Sequence, residues 1–319
     1  MNDTLHFRSN GKLMITGEYL VLAGAKALAM PVRYGQRLAV SSNPGQKATI
    51  KWRSYIQEQL WLQASFSGEQ LEPYPDDQST RQHIQRLRQV LLEAKTLNPG
   101  FLSEDIEWDV RSDIEFDLQW GLGSSSTLIS NIAAWASVDP YELHFRVSEG
   151  SAYDIACARS NQALLYTFRG KQKQPKIEHI SFRPNFSSQL YFVYSGKKQS
   201  SDESIRSFRK ELASSRDVKA ISALSEQMAT SISLLDFIEL MEEHENIIAK
   251  YTTSEVVRKR YFPDFPGGVK SLGAWGGDFL LAASPVAPEK IIAYFRNKGL
   301  TTIISFNDMR LASQNSHEI

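Results

Sequence analysis

The feature that most constrains the fold of this chain is a run of glycines and serines placed directly before an apolar segment. Residues 121–127 are Gly-Leu-Gly-Ser-Ser-Ser-Thr, and the apolar run LISNIAAWA follows. Glycine lets the backbone approach a bulky anion, and a following helix directs unpaired N–H groups and its positive dipole end at the loop. A glycine turn with one serine cap would explain only part of this run. The pattern therefore favours a loop that binds the phosphates of a nucleotide.

Three widespread nucleotide-binding signatures are absent from the sequence. No lysine follows the loop in the Walker A order GxxxxGK[ST], and the third glycine of GxGxxG is missing. The protein-kinase signatures HRD and DFG do not occur either. The loop therefore predicts a nucleotide site of another kind.

Composition excludes several other classes of protein. The chain has 319 residues, and its 36 Lys plus Arg balance its 36 Asp plus Glu, so no basic excess suggests a nucleic-acid partner. No apolar run approaches the roughly 18 residues that a membrane helix needs. The single cysteine, Cys157, cannot form an internal disulfide. We expect a soluble cytoplasmic protein that binds neither nucleic acid nor membrane.

The order of predicted strands and helices favours an α+β fold, because strands come in adjacent runs and do not alternate strictly with helices. The predicted strands are 12–22, 27–42, 47–67, 105–111, 162–168, 189–195, 269–274, 278–283 and 301–306. The predicted helices are 80–97, 123–138, 140–148, 217–249 and 288–298. The polar, proline-bearing stretch 169–188 is the best candidate boundary, which predicts domains 1–175 and 176–319.

Three further segments accompany the loop. Residues 148–156 (SEGSAYDIA) place Asp154 just after a turn of small residues, residues 273–278 (GAWGGD) form a second glycine-rich turn, and residues 11–19 (GKLMITGEY) open the chain. In order and spacing the four segments resemble the GHMP kinase superfamily, which includes galactokinase, homoserine kinase, mevalonate kinase and phosphomevalonate kinase. The resemblance runs from about residue 10 to residue 306, nearly the whole chain.

The resemblance implies a fold and a cofactor. The implied fold has an N-terminal domain like the second domain of ribosomal protein S5 and a C-terminal ferredoxin-like domain. ATP would lie on the loop, and Ser125, which matches the second serine of the family's loop, would bind Mg²⁺. The implied cofactor-binding residues are Gly121, Leu122, Gly123, Ser124, Ser125, Ser126 and Thr127.

The resemblance also assigns the chemistry to two residues. Asp154 matches the acid that accepts the proton of the substrate hydroxyl or orients that hydroxyl, and Lys12 matches a lysine near the same hydroxyl. Positioning and charge neutralisation dominate phosphoryl transfer. The implied substrate-binding residues are Glu18, Tyr19, Gly273, Ala274, Gly276 and Gly277.

The chain departs from the family pattern at several positions. The family's mevalonate kinases use a further glutamate as a metal ligand, whereas Glu142 and Glu149 are the nearby candidates here and neither has the usual spacing. Trp275 and Asp278 replace small residues in the fourth segment, where Asp278 would repel phosphate if it pointed inward. Ala152 stands where many members have glycine.

The remaining charged clusters are interpreted as ordinary surface. We expect Glu242, Glu243, His244 and Glu245 to form a solvated helix face. The pair Lys197-Lys198 follows a strand and is interpreted as a solvated turn, with a contact to a substrate phosphate as the alternative.

Two functions remain open from the sequence. The first is an ATP-dependent small-molecule kinase whose acceptor is a mevalonate-type acid, because Gly17-Glu18-Tyr19 resembles the phosphomevalonate kinases. The second is a nucleotide-binding protein of the same fold that has lost catalysis and acts in regulation or structure. Either is compatible with a homodimer.

Overall fold

The computed structural model describes residues 4–45, 49–68, 70–73, 80–102, 106–197, 212–252, 255–273 and 278–312. Helices and mostly antiparallel strands occur throughout, so the predicted α+β class is confirmed. The strands are β1 (Leu5–Met14), β2 (Lys26–Pro44), β3 (Thr49–Ile56), β4 (Gln59–Ser67), β5 (Glu72–Pro73), β6 (Ile106–Ile114), β7 (Ala163–Thr167), β8 (Lys176–Ile180), β9 (Leu190–Tyr194), β10 (Gly268–Ser271), β11 (Phe279–Ala283) and β12 (Ile303–Ser305). The helices are α1 (Arg81–Leu97), α2 (Ser124–Ala136), α3 (Pro140–Val147), α4 (Tyr153–Ala158), α5 (Ser215–Thr230), α6 (Leu234–Ile248), α7 (Val257–Tyr261), α8 (Pro288–Asn297) and α9 (Phe306–Met309).

The chain forms two compact units that interleave in sequence. The first contains Met1–Gly11, Tyr34–Leu118 and Gly123–Arg159, and the second contains Lys12–Arg33, Gln119–Leu122 and Ser160–Ile319. The division into domains at 175/176 stays a prediction. Strand β8 lies inside the stretch predicted as the boundary and pairs with β7, so this stretch is partly ordered sheet.

The first unit is a sheet covered by helices. Its strands follow the order β5-β4-β3-β6-β2. Helix α1 begins and ends close to the predicted residues, and its apolar stripe (Ile84, Leu87, Val90, Leu91 and Ala94) is buried as the spacing predicts. Side chains of four strands and of α1 to α4 form one apolar cluster, which fixes the start of α2 and α4 on the sheet.

The second unit contains a four-stranded antiparallel sheet in the order β10-β11-β9-β12. Helix α8 packs Ile291 and Phe295 into the cluster that covers β9, β10 and β11. A second cluster joins Leu20 and Ala25, which follow β1, to apolar side chains of α5 and α6. The opening segment of the chain is therefore packed on the helical pair of this unit.

Three predicted elements are wrong in extent. The strand predicted over 47–67 is a hairpin of β3 and β4. The strand predicted over 12–22 ends at Met14, and Leu20–Ala23 form a 3₁₀ turn. The helix predicted over 217–249 is two helices, because Ser231 is extended and Ser233 caps α6 by accepting a hydrogen bond from the Asp236 N–H at 3.3 Å. Such serine caps favour a new helix start over continuation. As a result Ile232, which lies between the two helices, is 81% exposed.

No helix in the described ranges combines the length and apolar character needed to cross a membrane.

Candidate functional site

In the first unit, the loop ends at the beginning of α2. Gly123 occupies the position before the helix with a φ of 91°, which is a left-handed conformation that favours glycine, and no side chain caps the helix. The first amide groups of α2 therefore have no side-chain acceptor among the described residues. Together with the dipole of a 13-residue helix, they form the positive end that the sequence predicted for an anion.

The hydroxyl groups of the loop divide into two kinds. Ser125 is exposed and Ser124 is half-buried, so both can contact a ligand. Ser126 is buried and donates a hydrogen bond to Asp154, and Thr127 is buried and donates to Gln36 Oε1 at 2.6 Å. Leu122 is fully buried. At positions 122, 126 and 127 a nucleotide would thus meet the backbone and not the side chain.

Asp154 is the second residue of α4, and the helix begins directly after Ala152, whose φ of 59° turns the chain into it. One carboxylate oxygen, Oδ2, accepts the hydrogen bond from Ser126 Oγ, and the other, Oδ1, accepts one from the Ile155 N–H at 3.1 Å. The side chain is half-buried. Two segments that the sequence singled out separately, the serine run and the acid segment, are therefore in direct contact within the first unit.

In the second unit, Lys12 contacts the first part of the loop. Its Nζ donates a hydrogen bond to the Gly121 carbonyl at 2.9 Å, and its backbone N–H donates one to the Leu122 carbonyl at 3.0 Å. Lys12 lies near the end of β1, so the strand holds its ammonium group at the start of the predicted phosphate loop.

Asp278 also lies against Gly121. Asp278 is 5% exposed, and a Cβ atom at residue 121 would overlap its carboxylate, so both this neighbour and the φ of 64° favour glycine at position 121. The sequence pointed to Asp278 as a departure that would repel phosphate if it faced inward. Here it does face the loop, where a cation would have to offset its charge. Of the rest of the fourth segment, Gly273 has a φ of 72°, and Ala274, Trp275, Gly276 and Gly277 lie outside the described residues.

Glu18 and Tyr19, predicted to bind substrate, differ in their surroundings. Glu18 is 2% exposed, and its carboxylate lies 2.5 Å from Lys270 Nζ and 3.2 Å from His244 Nε2. Burial would raise the pKa of Glu18, but the charge of Lys270 and its hydrogen bond hold that pKa below its ordinary value. Tyr19 is half-buried. A contact between this segment and a substrate would therefore involve Tyr19 or the backbone more directly than the Glu18 carboxylate.

His244 and Glu245 contradict the prediction of a solvated helix face. Both are buried in the second unit, whereas Glu242 and Glu243 are exposed as predicted. Burial and the Lys270 charge lower the pKa of His244 to about 4, and burial raises the pKa of Glu245 to about 7. The signal that sequence analysis missed is helical spacing, since both residues fall on the same stripe as the buried Phe237, Met241 and Ile248.

The other acids and cations weighed for the site lie at the surface. Glu142 is exposed and forms an ion pair with Arg146 at 3.3 Å, and Glu149 is also exposed. Lys197 is exposed, and Lys198 lies outside the described residues. Among the residues that the structure describes, no three His, Cys, Asp or Glu side chains are grouped to hold a metal ion. The exposed hydroxyl of Ser125 fits a role as one oxygen ligand of a Mg²⁺ that a nucleotide brings with it.

Solved structures of known proteins share this fold over nearly the whole chain. The phosphomevalonate kinase of Streptococcus pneumoniae in complex with phosphomevalonate and AMPPNP is 16% identical, with a TM-score of 0.68 over 94% of this chain and 99% of that chain. The mevalonate kinase of L. major in complex with R-mevalonate is 14% identical, with a TM-score of 0.67 over 95% of each chain. The galactokinase of Lactococcus lactis complexed with galactose is 12% identical, with a TM-score of 0.65 over 98% of this chain and 94% of that chain.

At the level of sequence, no protein-family model and no curated protein matches the chain. The likeness to solved structures therefore shows the fold and leaves the activity to be argued from the residues. The chain shares the α+β fold of these three kinases, in agreement with the fold that the resemblance of its four motifs implied.

Proposed function

We propose that the protein is a small-molecule kinase that transfers the γ-phosphate of ATP to a hydroxyl or phosphate acceptor, with a mevalonate-type acid as the first candidate. The observation that carries the proposal is the contact between the start of α2 and Asp154. A helix end without a side-chain cap, suited to an anion, is hydrogen-bonded through Ser126 to a carboxylate suited to accept a proton. The shared fold with phosphomevalonate, mevalonate and galactose kinases supports it.

In this proposal the first-turn amides of α2 and the backbone of residues 121–123 hold the nucleotide phosphates, and Ser125 ligates the Mg²⁺. The bound nucleotide supplies the phosphoryl group, and the metal ion neutralises the charge on its oxygens. Lys12, which is hydrogen-bonded to the Gly121 carbonyl, adds a positive charge at the start of the same loop. This charge offsets the negative charge of Asp278.

Asp154 would take the proton of an acceptor hydroxyl. Its present partners are a hydroxyl and an amide, both neutral, so the carboxylate keeps its capacity to accept. When Oδ2 becomes protonated, Ser126 Oγ can turn from donor to acceptor, because a serine hydroxyl serves both roles. The Ser126 contact would thus stabilise Asp154 before and after proton transfer. A phosphate acceptor, which is already ionised, would depend on Asp154 less.

One observation favours the second candidate, a nucleotide-binding protein without catalysis. Asp278 places a carboxylate against the first glycine of the loop, where it opposes a bound phosphate. If the neighbouring cations did not offset this charge, nucleotide would bind weakly or in an unproductive arrangement.

The test is an acceptor panel with purified protein, ATP and Mg²⁺, scored by ADP release and by detection of the phosphorylated product. We expect turnover with mevalonate or phosphomevalonate and none with galactose or homoserine. Turnover of galactose or homoserine alone would replace the proposed acceptor. ATP binding with no ADP release for any acceptor would favour the non-catalytic protein.

A pair of glycine variants tests where the nucleotide binds. Gly123→Val places a branched side chain at the start of α2, whereas Gly170→Val imposes a similar strain (φ of 97°) at a position with open space around it. We expect calorimetry to show loss of ATP affinity for Gly123→Val only. Equal affinity in the two folded variants would contradict the assignment of the loop.

A further inference from the structure

The opening turn of the second unit holds a strained backbone. Tyr19 has a φ of 60° and a ψ of −52°, and the Leu20 N–H donates a hydrogen bond to the Glu18 carbonyl at 2.6 Å. A hydrogen bond that spans three residues about a positive φ is a γ-turn of the rare, strained form. A residue other than glycine keeps such a conformation only where its surroundings enforce it.

Buried side chains that bond to the two residues before Tyr19 supply this enforcement. The Gly17 N–H donates a hydrogen bond to His244 Nε2 at 3.0 Å, and Lys270 Nζ donates one to Glu18 Oε1 at 2.5 Å. His244 and Lys270 are completely buried. Because Nε2 accepts a bond from an amide, the imidazole is neutral with its proton on Nδ1. Two consecutive residues before the strained position are thus fixed from α6 and from β10.

Lys270 makes a second bond that leads to the glycine-rich segment. Its Nζ also donates to the Ser271 carbonyl at 2.8 Å, and the Ser271 N–H donates to Glu245 Oε1 at 3.3 Å. Ser271 is the last residue of β10, two residues before Gly273. One buried ammonium group therefore ties the turn at Tyr19 to the backbone that enters the fourth motif.

The network is closed to solvent. Four of its buried atoms have no hydrogen-bond partner among the described residues, namely Glu18 Oε2, His244 Nδ1, Glu245 Oε2 and Ser271 Oγ. A buried polar cluster of this kind costs free energy compared with an apolar core of the same shape, so stability alone does not account for it. Its hydrogen bonds instead constrain the two segments that the network connects, namely the turn at Tyr19 and the backbone that enters the fourth motif.

We propose that Lys270, Glu18 and His244 are positioning residues, which hold Tyr19 and the entrance to the glycine-rich segment 273–278 in the arrangement that phosphoryl transfer needs. Glu18 then serves the site through the backbone and not by touching the acceptor. The catalytic part of this inference rests on the proposed function, whereas the part that concerns the turn does not.

The main test removes both charges together. Glu18→Gln combined with Lys270→Met leaves no unpaired buried charge, so we expect the double variant to fold with a melting temperature close to that of the parent. A matched control, Asp217→Asn with Lys250→Met, removes another ion pair of the second unit, whose atoms are 3.0 Å apart. Hydrogen exchange of peptides covering residues 15–24 reports the turn, and α1 serves as the internal reference.

We expect exchange in residues 15–24 to accelerate about tenfold in the double variant and to stay unchanged in the control. Turnover per folded molecule should fall about tenfold, while ATP affinity stays within about threefold. Unchanged exchange would show that the network does not hold the turn and would overturn the inference. Faster exchange with parental turnover would leave the network a structural role only. If the parent itself transfers no phosphate, the proposed function fails, and the exchange result still decides whether the network fixes the turn.

A pair of single variants keeps the inference testable if the double variant does not fold. His244→Phe removes the acceptor for the Gly17 N–H, whereas His244→Gln keeps an oxygen near the place of Nε2. Faster exchange in residues 15–24 for the phenylalanine variant, restored by glutamine, supports the inference. Equal exchange in both variants contradicts it.

Discussion

Asp154 and Glu18 are both acids that the sequence marked for the site, and the structure gives them opposite surroundings. Asp154 is half-buried and hydrogen-bonded to the Ser126 hydroxyl and the Ile155 amide, which are neutral donors. Glu18 is almost fully buried and paired with the Lys270 ammonium. A carboxylate with neutral partners near solvent can exchange a proton with a ligand. A carboxylate that compensates a buried lysine cannot give up its charge without leaving that lysine unpaired.

The difference teaches how to separate an acid that reacts from an acid that holds the backbone. Sequence motifs contain both kinds at neighbouring positions, and residue type alone does not distinguish them. The partner decides, because its charge determines whether protonation of the carboxylate is tolerated.

The largest expected effect concerns Asp154. Asp154→Asn nearly preserves the shape of the side chain but cannot accept a proton, so turnover with a hydroxyl acceptor should fall by about a hundredfold or more. With a phosphate acceptor, which has no proton to lose, we expect less than about a tenfold decrease. Steady-state ADP release with both acceptor types measures the difference, and the melting temperature should stay near that of the parent. A variant that retains more than about a third of parental turnover with the hydroxyl acceptor would remove Asp154 from the proposed chemistry.

The second expected effect is a pH dependence of stability around Glu18. The pKa of Glu245 rises from 4.5 to about 7 in the folded protein, so its contribution to stability is lost as the pH rises through this window. The pKa of His244 falls from 6.5 to about 4, so its contribution is lost as the pH falls through nearly the same window. Lys270 and Glu18 face both groups with opposite charges. The two contributions therefore nearly cancel between pH 4.5 and 6.5.

Glu245→Gln removes one of the two opposing contributions, so the pH dependence of stability that is due to His244 becomes measurable. The free energy of unfolding of this variant should rise by about 2 kcal/mol from pH 4.5 to 6.5. In the parent, the contributions of Glu245 and His244 cancel, so together they should leave its free energy of unfolding nearly constant over this range. Urea unfolding at four pH values gives the comparison. Parallel curves for parent and variant would show that Glu245 does not titrate in this range.

The smallest expected effect concerns the partner of Asp154. Ser126→Ala removes one hydrogen bond from a neutral hydroxyl to the carboxylate, which we take as worth about 0.5–1.5 kcal/mol, or about twofold to twelvefold in turnover. Ser130→Ala is the matched control. Ser130 lies on the same helix as Ser126, and its substitution breaks a buried hydrogen bond with Ser9 of β1 without touching Asp154. Equal turnover of the two variants would mean that the Ser126 contact does not support catalysis.

Much of the fold could be predicted because its signals are local. The apolar stripe of α1 is contained within fewer than about twenty residues, and the glycines of the loop directly precede α2. The order of the four motifs was enough to predict the superfamily fold. Errors arose where a local signal was weak, as at Ser231 and Ser233, which end one helix and start the next.

The side-chain roles within the motifs could not be predicted to the same depth, because they depend on partners far along the chain. Thr127 is bonded to Gln36, and Glu18 is bonded to Lys270. His244 and Glu245 looked solvated because acids surround them in sequence, although helical spacing places them on the buried stripe. Residue types show which side chains are polar, whereas only the fold shows which of these polar side chains are buried.

The Glu18–Lys270 pair has a consequence for how this sequence can vary over generations. Its two members are 252 positions apart, so they are altered by independent mutations. Either change alone leaves an uncompensated charge in the interior, at a cost of about 3–5 kcal/mol, which is a large part of the stability of a typical protein. Descendants of this chain should therefore keep both residues or replace both, and the intermediate with one replacement should be rare. The turn at Tyr19 thus depends on two residues that we expect to change together.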